Sequence, residues 1–312
     1  GMTRWLRTAG SFGLTFVLVM TVTFIALEAL PGDAASLRAG LDGGSGRDAA
    51  VREALNLDRP WPERYVAWWS GLLQGDLGVS LREDRPVASI VLERLPVTAA
   101  LAGLAFVLSS AVGILLGAWA AFHAGSGIDR GVRAFTAVGL AMPEFWFGFL
   151  LLLLFAVEFA WLPLFGLPPG GGIWATLQHL LLPAVTLAVP RAARQARVVR
   201  ALVLESRREA WLRTAVSKGA GTGRLRRQTV LAALPGALPL LALDLGGLLT
   251  GTIVVEQVFG LPGLGALLIG GISARDVPVV QGVTLLAVGV FLTVNLMSDL
   301  LQQALDPRLR DA

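Results

Sequence analysis

LPLLALDLGGLLTGTIVVEQV, the sequence of residues 238–258, contains only two ionisable residues, Asp244 and Glu256. A bilayer core requires roughly 20 consecutive, mostly apolar residues in a helix, because lipid offers no hydrogen-bond partner for exposed backbone groups. This stretch is therefore predicted to be a transmembrane helix. The composition agrees, since 54% of the residues are hydrophobic and only 15% are charged, against roughly 25% charged in typical soluble domains.

Five further stretches are long and apolar enough to cross a bilayer. They are residues 11–30, 97–122, 134–159, 173–189 and 279–301. The first follows Arg4 and Arg7, as the apolar part of a cleaved signal peptide also would. Its apolar run exceeds the roughly 7 to 15 residues usual in such a peptide, so an uncleaved first helix is expected. The prediction is an all-α polytopic membrane protein with six transmembrane helices.

The positions of the cations predict the orientation, because short cytoplasmic loops are enriched in Lys and Arg. With the N-terminus inside, the inner ends and loops hold 2, 2, 11 and 2 of these residues, which makes 17 of the 26 in the chain. The short outer loops hold only Arg275, and segment 31–96 holds the other eight together with ten acids. Both termini are therefore predicted to be cytoplasmic. The net charge of +4 is explained by this topology and by contact with anionic membrane lipid, without nucleic acid.

This topology divides the chain into three regions: residues 1–30 with the first helix, an extracytoplasmic region at 31–96, and a core of five helices at 97–312. The extracytoplasmic region is too polar for lipid and too short for a large core of its own. Its aromatic residues suit an amphipathic helix at the outer membrane interface. They are Trp61, Tyr65, Trp68 and Trp69. One interpretation of the region is a lid over the helix ends.

The loop between the fourth and fifth helices contains RTAVSKGAGTGRLRRQ, residues 213–228, with the only lysine of the chain. Around its start, helical periodicity separates an apolar face from a polar face. The apolar face comprises Trp211, Leu212, Ala215, Val216 and Gly219, and the polar face comprises Arg213, Thr214, Ser217 and Lys218. A short cytoplasmic helix ending at Gly219 is predicted, because glycine adopts the positive φ common at helix ends. Its apolar face would rest on lipid headgroups or fill a groove in another protein, and the pattern leaves both open.

The glycines of this loop do not make a phosphate-binding motif. GAGTG at 219–223 lacks P-loop spacing, and Lys218 precedes the glycines instead of following them. The chain has no cysteine and only two histidines, His123 and His179, on different segments. Neither a zinc site nor a Ser/His/Asp catalytic set can be assembled from them. The chain is thus expected to be neither an enzyme nor a nucleotide-binding protein, and any ATP-driven work would come from a partner.

Several fragments, in their order and spacing, resemble the transmembrane permease subunits of ABC importers in the oligopeptide, dipeptide and nickel group. In the first third these are LPGD (30–33), LDRPWPERYVAWW (57–69), GDLGVS (75–80) and RPVASIVLERLPVT (85–98). Further on they are RTAVSKG (213–219), VVEQVFGLPGLG (254–265), RDVPVVQG (275–282), NLMSDL (295–300) and DPRLR (306–310). RTAVSKG resembles the EAA loop of these permeases, with Val216 and Ser217 where Arg and Ala are common.

The resemblance implies an ATP-driven importer in the cytoplasmic (inner) membrane of a bacterium or archaeon. Two permeases, usually a heterodimer, would work with two ATPase subunits that bind ATP and Mg, and with an extracytoplasmic substrate-binding protein. The solutes would be peptides, metal chelates or similar small molecules, and this chain would hold no cofactor of its own. The loop at about 201–235 would dock on the ATPase through Trp211, Leu212, Arg213, Thr214, Ala215, Val216, Lys218 and Gly219. The residues that would contact the binding protein are Trp61, Tyr65, Trp68 and Trp69.

Ionisable residues inside membrane segments are functional candidates, because burial of a charge in hydrocarbon is costly. Asp244, beside small residues that allow close helix approach, either lines the pathway or bonds to a neighbouring helix. Glu144 follows Pro143 and marks either a kinked gate or a structural carboxylate. FGLPGLG at 259–265 forms either a tight reentrant turn of an outer gate or a plain loop. The candidate pathway and gate residues are Glu144, Asp244, Gly247, Gly251, Glu256, Phe259, Pro262 and Gly263.

The fourth helix continues into a basic extension with an arginine at every third position, namely Arg191, Arg194, Arg197 and Arg200. Voltage sensors share this spacing, but Pro183 and Pro190 are expected to interrupt the apolar part. Snorkelling at a cytoplasmic helix end explains the arginines better. An ion-coupled secondary transporter is the alternative to the importer, and Asp244 would then be its coupling site.

Overall fold

The computed structural model describes residues 2–29 and 59–305, with side chains for residues 10–27 and 59–301. Within these ranges the chain forms ten α-helices and no β-strand. The helices are α1 (Met2–Ala29), α2 (Trp61–Leu73), α3 (Val87–Phe122), α4 (Gly127–Ala141), α5 (Glu144–Leu151), α6 (Ile173–Ser206), α7 (Ala210–Ser217), α8 (Thr222–Phe259), α9 (Leu264–Ser273) and α10 (Val277–Leu305). A π-helix, Leu152–Glu158, continues α5.

Among the described residues, α1, α3, α6, α8 and α10 are long and apolar enough to cross a membrane. The pair of α4 and α5 makes a sixth span if its two bent halves count as one. The predicted mostly helical, multi-span architecture is therefore confirmed. The cytoplasmic placement of both termini and the division into regions 1–30, 31–96 and 97–312 stay predictions.

The third span differs from the continuous stretch predicted at 134–159. Its two halves, α4 and α5 with the π-helix, are bent by 106°. Met142 has extended backbone angles, φ −82° and ψ 129°, as is typical of a residue that precedes proline. Pro143 is the N-cap residue of α5, where a missing backbone N–H costs little. The bend places Glu144 in the first turn of α5.

Pro183 and Pro190 do not interrupt α6, contrary to the expectation from the sequence. An internal proline removes one helical hydrogen bond, but neighbouring helices and side chains can compensate in membrane proteins. Both prolines are buried. Helix α6 packs against α4, α5 and α8 around these positions. It is continuous over 34 residues and carries all four arginines of the basic extension.

The chain forms two compact units, residues 1–96 with 266–289 and residues 97–265 with 290–312. In the second unit α6 packs against α4, α5 and α8. Small residues permit this packing: Ala192, Ala193 and Ala196 on α6 are buried. A methyl group at Gly117 of α3 would lie 2.6 Å from the carbonyl oxygen of Ala196. Helix α6 is thus the centre of this unit.

Candidate functional site

Three of the four arginines of α6 form ion pairs with acids on three other helices. The pairs are Arg191 with Glu144 of α5, Arg194 with Asp244 of α8, and Arg200 with Asp129 of α4. Arg197 is exposed. Snorkelling does not describe Arg191, whose side chain is 7% exposed and paired inside the bundle, whereas for Arg194 and Arg200, 39% and 24% exposed, it stays a prediction beside the observed pairs. We call these contacts the three ion pairs of α6.

Arg191 is 6% exposed, so its charge requires a partner. Its Nη1 lies 2.9 Å from Oε1 of Glu144, and Nη2 lies 3.5 Å from the carbonyl oxygen of Gly247. A methyl group at Gly251 would lie 2.7 Å from Nη2. Gly251 therefore leaves the space that the guanidinium occupies, and Glu144 is a paired carboxylate beside the α4–α5 bend. A gating role for these residues stays a prediction.

Asp244 is 2% exposed and accepts two hydrogen bonds from α6. Arg194 Nη1 lies 3.0 Å from Oδ1, and Gln195 Nε2 lies 2.9 Å from Oδ2. The bond to a neighbouring helix is thus present, and a position along the pathway stays a prediction. Helices α8 and α10 approach each other closely at Gly246, where an added methyl group would lie only 2.6 Å from the ring of Phe291.

Asp129 is a partner that the sequence reasoning missed. It lies in the first turn of α4 and is 1% exposed. Arg200 donates to it twice, from Nε to Oδ1 at 2.6 Å and from Nη2 to Oδ2 at 2.8 Å, and the Gly125 amide donates to Oδ2 at 3.0 Å. A two-bond arginine–carboxylate pair fixes orientation as well as distance. The basic end of α6 is therefore held to the start of α4.

The predicted cytoplasmic helix exists as α7, Ala210–Ser217, and Gly219 follows it with φ +77°. Trp211, Leu212 and Ala215 are half-buried, as the apolar face predicts, whereas Val216 is 57% exposed. The polar face is exposed, comprising Arg213, Thr214, Ser217 and Lys218. An exposed helix of two turns therefore connects α6 to α8. Its docking role stays a prediction.

Phe122, the last residue of α3, contacts one arginine from each side of α7. The guanidinium carbons of Arg207 and Arg226 lie 5.8 and 5.4 Å from the centre of its ring. Arg207 Nη1 also donates to the carbonyl of Ala121 at 2.7 Å, which satisfies a free group at the end of α3. We call this contact the Phe122 clamp. The clamp ties both ends of the α7 loop to α3, and no pattern in the sequence pointed to it.

The FGLPGLG segment forms a tight turn around Glu256. Helix α8 ends at Gly260 with φ +62°. Glu256 is fully buried and accepts hydrogen bonds from Thr98 Oγ1 at 2.6 Å and from the Gly265 amide at 2.7 Å. A methyl group at Gly263 would overlap this carboxylate. Phe259 is 2% exposed and Pro262 half-buried. Of the two alternatives left open by the sequence, the structure has a tight turn, and its reentrant position and function as an outer gate stay predictions.

The aromatic residues of α2 pack mainly on α1. The ring of Phe24 lies 5.3 Å from that of Tyr65 and 5.8 Å from that of Trp68. The Tyr65 hydroxyl is 2.7 Å from Thr21 Oγ1 of α1. The ring centres of Trp69 and Phe16, also of α1, are 6.4 Å apart. Trp61 is 59% exposed. Of the four aromatics, Trp61 therefore offers the most free surface for a partner.

Within the described residues, no group of three His, Cys, Asp or Glu side chains could hold a metal ion. His123 and His179 each bond through Nδ1 to the carbonyl four residues earlier at 2.8 Å. Both rings are therefore engaged by their own helices.

Two family models match the chain. Residues 113–311 match the model described as "Binding-protein-dependent transport system inner membrane component". Residues 2–102 match the model for the N-terminal part of a binding-protein-dependent transport system membrane component. Together they span both compact units.

Relatives extend over nearly the whole chain. The "Probable peptide ABC transporter permease protein y4tP" of Sinorhizobium fredii is 35% identical over 308 residues, 98% of each chain. The glutathione transport system permease protein GsiC of Pectobacterium atrosepticum is 35% identical over 301 residues, 95% of each chain. Among solved structures, a chain of the inward-facing MetNI methionine ABC transporter is 19% identical with a TM-score of 0.57. That match covers 70% of this chain and 97% of the MetNI chain, and it concerns the fold alone.

Proposed function

The chain belongs to the family of inner membrane components of binding-protein-dependent transport systems, and from this we propose that it forms half of the translocation pathway of an ATP-driven importer. Two partner ATPase subunits bind ATP and Mg. A second permease, in a heterodimer, supplies the other half of the pathway. An extracytoplasmic binding protein delivers the solute.

The observation that carries this proposal is the position of α7 between two long membrane helices. Helix α6 ends at Ser206 and α8 begins at Thr222, so a force on α7 reaches both. The ATPase groove receives α7 through the residues that the family resemblance assigns. They are Trp211, Leu212, Arg213, Thr214, Ala215, Val216, Lys218 and Gly219. The 57% exposed Val216 supports docking on a protein groove, since an apolar side chain gains from being covered.

Closure of the ATPase subunits acts on the membrane helices as a rigid-body movement. The Phe122 clamp holds the α7 loop to α3, and the three ion pairs hold α6 to α4, α5 and α8. ATP shifts the permease between inward-facing and outward-facing states only by its different affinity for the two arrangements of the ATPase subunits. In this scheme ATP favours the outward-facing state, and hydrolysis resets it.

The solute is a peptide or a similar small molecule. Support comes from the names of the two relatives given above, one a peptide and one a glutathione permease. The protein lies in the inner membrane of a bacterium or archaeon, with both termini in the cytoplasm. Asp244, Gly247 and Gly251 lie along the pathway, and the turn at 259–265 closes its outer end.

Copurification tests the proposal. The tagged permease is expressed with its genomic neighbours and purified in mild detergent, as wild type and as the double variant Ala215→Glu, Gly219→Glu. We expect the wild type to bring down an ATPase and a second permease, and the variant to lose the ATPase, because buried charges would have no partner in the groove. Ser217→Glu, on the exposed polar face, is the matched control and should keep the ATPase.

The opposite result would favour an ion-coupled secondary transporter. A permease that purifies without any ATPase and transports in vesicles driven by an ion gradient alone contradicts the proposal. Asp244 would then be the coupling site, although Arg194 and Gln195 already occupy both of its oxygens.

A further inference from the structure

The unit formed by residues 1–96 and 266–289 contains a pocket of about 160 Å³. One wall is the segment after α2, with Ser80, Arg82 and Glu83, and Arg94 of α3 joins it. The opposite wall is formed by α9 and the residues that follow it, including Leu267 and Asp276. None of these residues was singled out as a site from the sequence. The pocket therefore needs an explanation of its own.

The wall around Asp276 is rigidly built. Asp276 is 2% exposed and accepts a short hydrogen bond from the Ser80 hydroxyl. It also accepts from the backbone amides of Leu81 at 3.1 Å and Arg82 at 3.3 Å. The Ser80 oxygen in turn accepts from the Glu83 amide at 3.0 Å. The Asp276 carboxylate is therefore satisfied without an arginine, and the segment that carries Arg82 is fixed in place.

Two guanidinium groups on the pocket remain unused. Within the part of the chain that the structure describes, the side chains of Arg82 and Arg94 neither donate a hydrogen bond nor form an ion pair. Of the acids nearby, Glu83 lies 3.6 Å from Arg85, whose guanidinium is hydrogen-bonded to Glu93, the residue before Arg94. Arg82 reaches towards α9, since a methyl group at Gly270 would lie 3.7 Å from Arg82 Nη1, an ordinary contact distance. Among the side chains of proteins, the carboxylate of Asp or Glu is the group whose geometry fits the planar guanidinium, because it accepts two parallel hydrogen bonds.

We propose that this pocket receives an acidic side chain of the substrate-binding protein. A volume of about 160 Å³ is well below the roughly 300 Å³ at which pockets begin to hold whole small molecules, so it suits one side chain better than a solute. Ile269 and Ile272, on the helix that forms one wall, are 39% and 50% exposed and add apolar surface to α9. The inference rests on the proposed function and on the predicted extracytoplasmic position of segment 31–96.

Binding measurements on the assembled transporter test the inference. The full complex is placed in nanodiscs, and the affinity of its own binding protein is measured at low and high salt for Arg82→Glu and Arg94→Glu. Each variant should weaken binding about tenfold or more, mainly through faster dissociation, because a seated ion pair is lost. Arg197→Glu is the control, an exposed arginine on the predicted cytoplasmic side that does not line the pocket. It should keep wild-type affinity, and basal ATPase activity should be unchanged throughout.

The absence of cysteine from the chain allows a second test. Arg94→Cys provides a single thiol in this subunit, which is labelled before the binding protein is added. A cationic methanethiosulfonate should restore affinity and an anionic one should not.

Wild-type affinity in both glutamate variants overturns the inference and leaves the proposed function intact. Loss of solute transport with unchanged binding-protein affinity also overturns it, because the carboxylate would then belong to the solute. A wild-type transporter that binds no binding protein overturns the proposed function as well.

Discussion

The guanidinium of Arg200 clasps the carboxylate of Asp129 through two hydrogen bonds of 2.6 and 2.8 Å, at a site where Asp129 is 1% exposed. Removing Asp129 leaves Arg200, whose side chain is 24% exposed, without its partner. We expect Asp129→Ala to lower the free energy of unfolding by about 2 kcal/mol, the usual worth of hydrogen bonds between charged groups. Thermal unfolding of the detergent-purified complex measures the change. Arg197→Ala, at an exposed position on the same helix, should change stability by less than about 0.5 kcal/mol. Equal stability of the two variants would contradict the structural role of the pair.

Gly251 and Gly247, one turn apart on α8, offer a matched comparison. A methyl group at Gly251 would lie 2.7 Å from Arg191 Nη2, whereas nothing lies within 4 Å of one at Gly247. Alanine in place of glycine normally stabilises a helix interior by up to about 1 kcal/mol. We expect Gly247→Ala to be neutral or stabilising and Gly251→Ala to destabilise, because the second displaces a buried cation. Thermal stability and vesicle transport are the readouts, and a Gly251→Ala protein as active and stable as the wild type would refute the crowding argument.

The Phe122 clamp predicts a loss of coupling more than a loss of folding. Phe122→Ala removes the ring over which Arg207 and Arg226 lie, contacts worth about 0.5 to 2 kcal/mol each. We expect ATP hydrolysis to continue while the number of solute molecules transported per ATP falls. Trp119→Ala removes an aromatic ring that is 50% exposed, one turn earlier on α3, and should leave the ratio unchanged. A Phe122→Ala complex with wild-type coupling would show that the clamp transmits nothing.

The turn at 259–265 should depend on the Glu256 carboxylate. Glu256→Ala removes the acceptor for Thr98 Oγ1 and for the Gly265 amide, so buried donors lose their partner at about 1 to 3 kcal/mol each. We expect faster amide hydrogen exchange in residues 259–265, detected by mass spectrometry. Gln257→Ala, at the exposed neighbouring position, should leave the exchange rates as they are. Unchanged protection in Glu256→Ala would mean that the turn is held by other contacts.

Much of the fold could be predicted from the sequence, because apolar length alone identifies membrane spans. The stretch 238–258 lies within α8, and the amphipathic pattern before Gly219 identified α7. The resemblance to ABC importer permeases is confirmed by the family models and by relatives 35% identical over nearly the whole chain. What the sequence did not give was the continuity of α6 through Pro183 and Pro190, because compensation for a missing hydrogen bond comes from neighbouring groups.

The site was harder to predict than the fold, because ion pairs join positions that are distant in sequence. Side chains at every third position spread over about half the circumference of an α-helix, so the spacing of the α6 arginines predicts several partners but not which acids they are. Arg191 and Glu144 are 47 residues apart, and Arg200 and Asp129 are 71 apart. Asp129 lies between the predicted spans 97–122 and 134–159, where a charged residue is ordinary. No sequence pattern marks the contacts of the Phe122 clamp. Asp244, by contrast, was recognisable because a lone acid inside an apolar span requires a partner.

The three ion pairs of α6 also constrain how the sequence can change over time. An arginine lost from α6 leaves an acid on α4, α5 or α8 without its partner, and the reverse substitution leaves a cation unpaired, so each change alone is destabilising. Positions 129 and 200, 144 and 191, and 194 and 244 are therefore expected to vary in concert among related chains. Apolar residues on the outer surface of the same helices have no such partner, so they are expected to be substituted independently of one another.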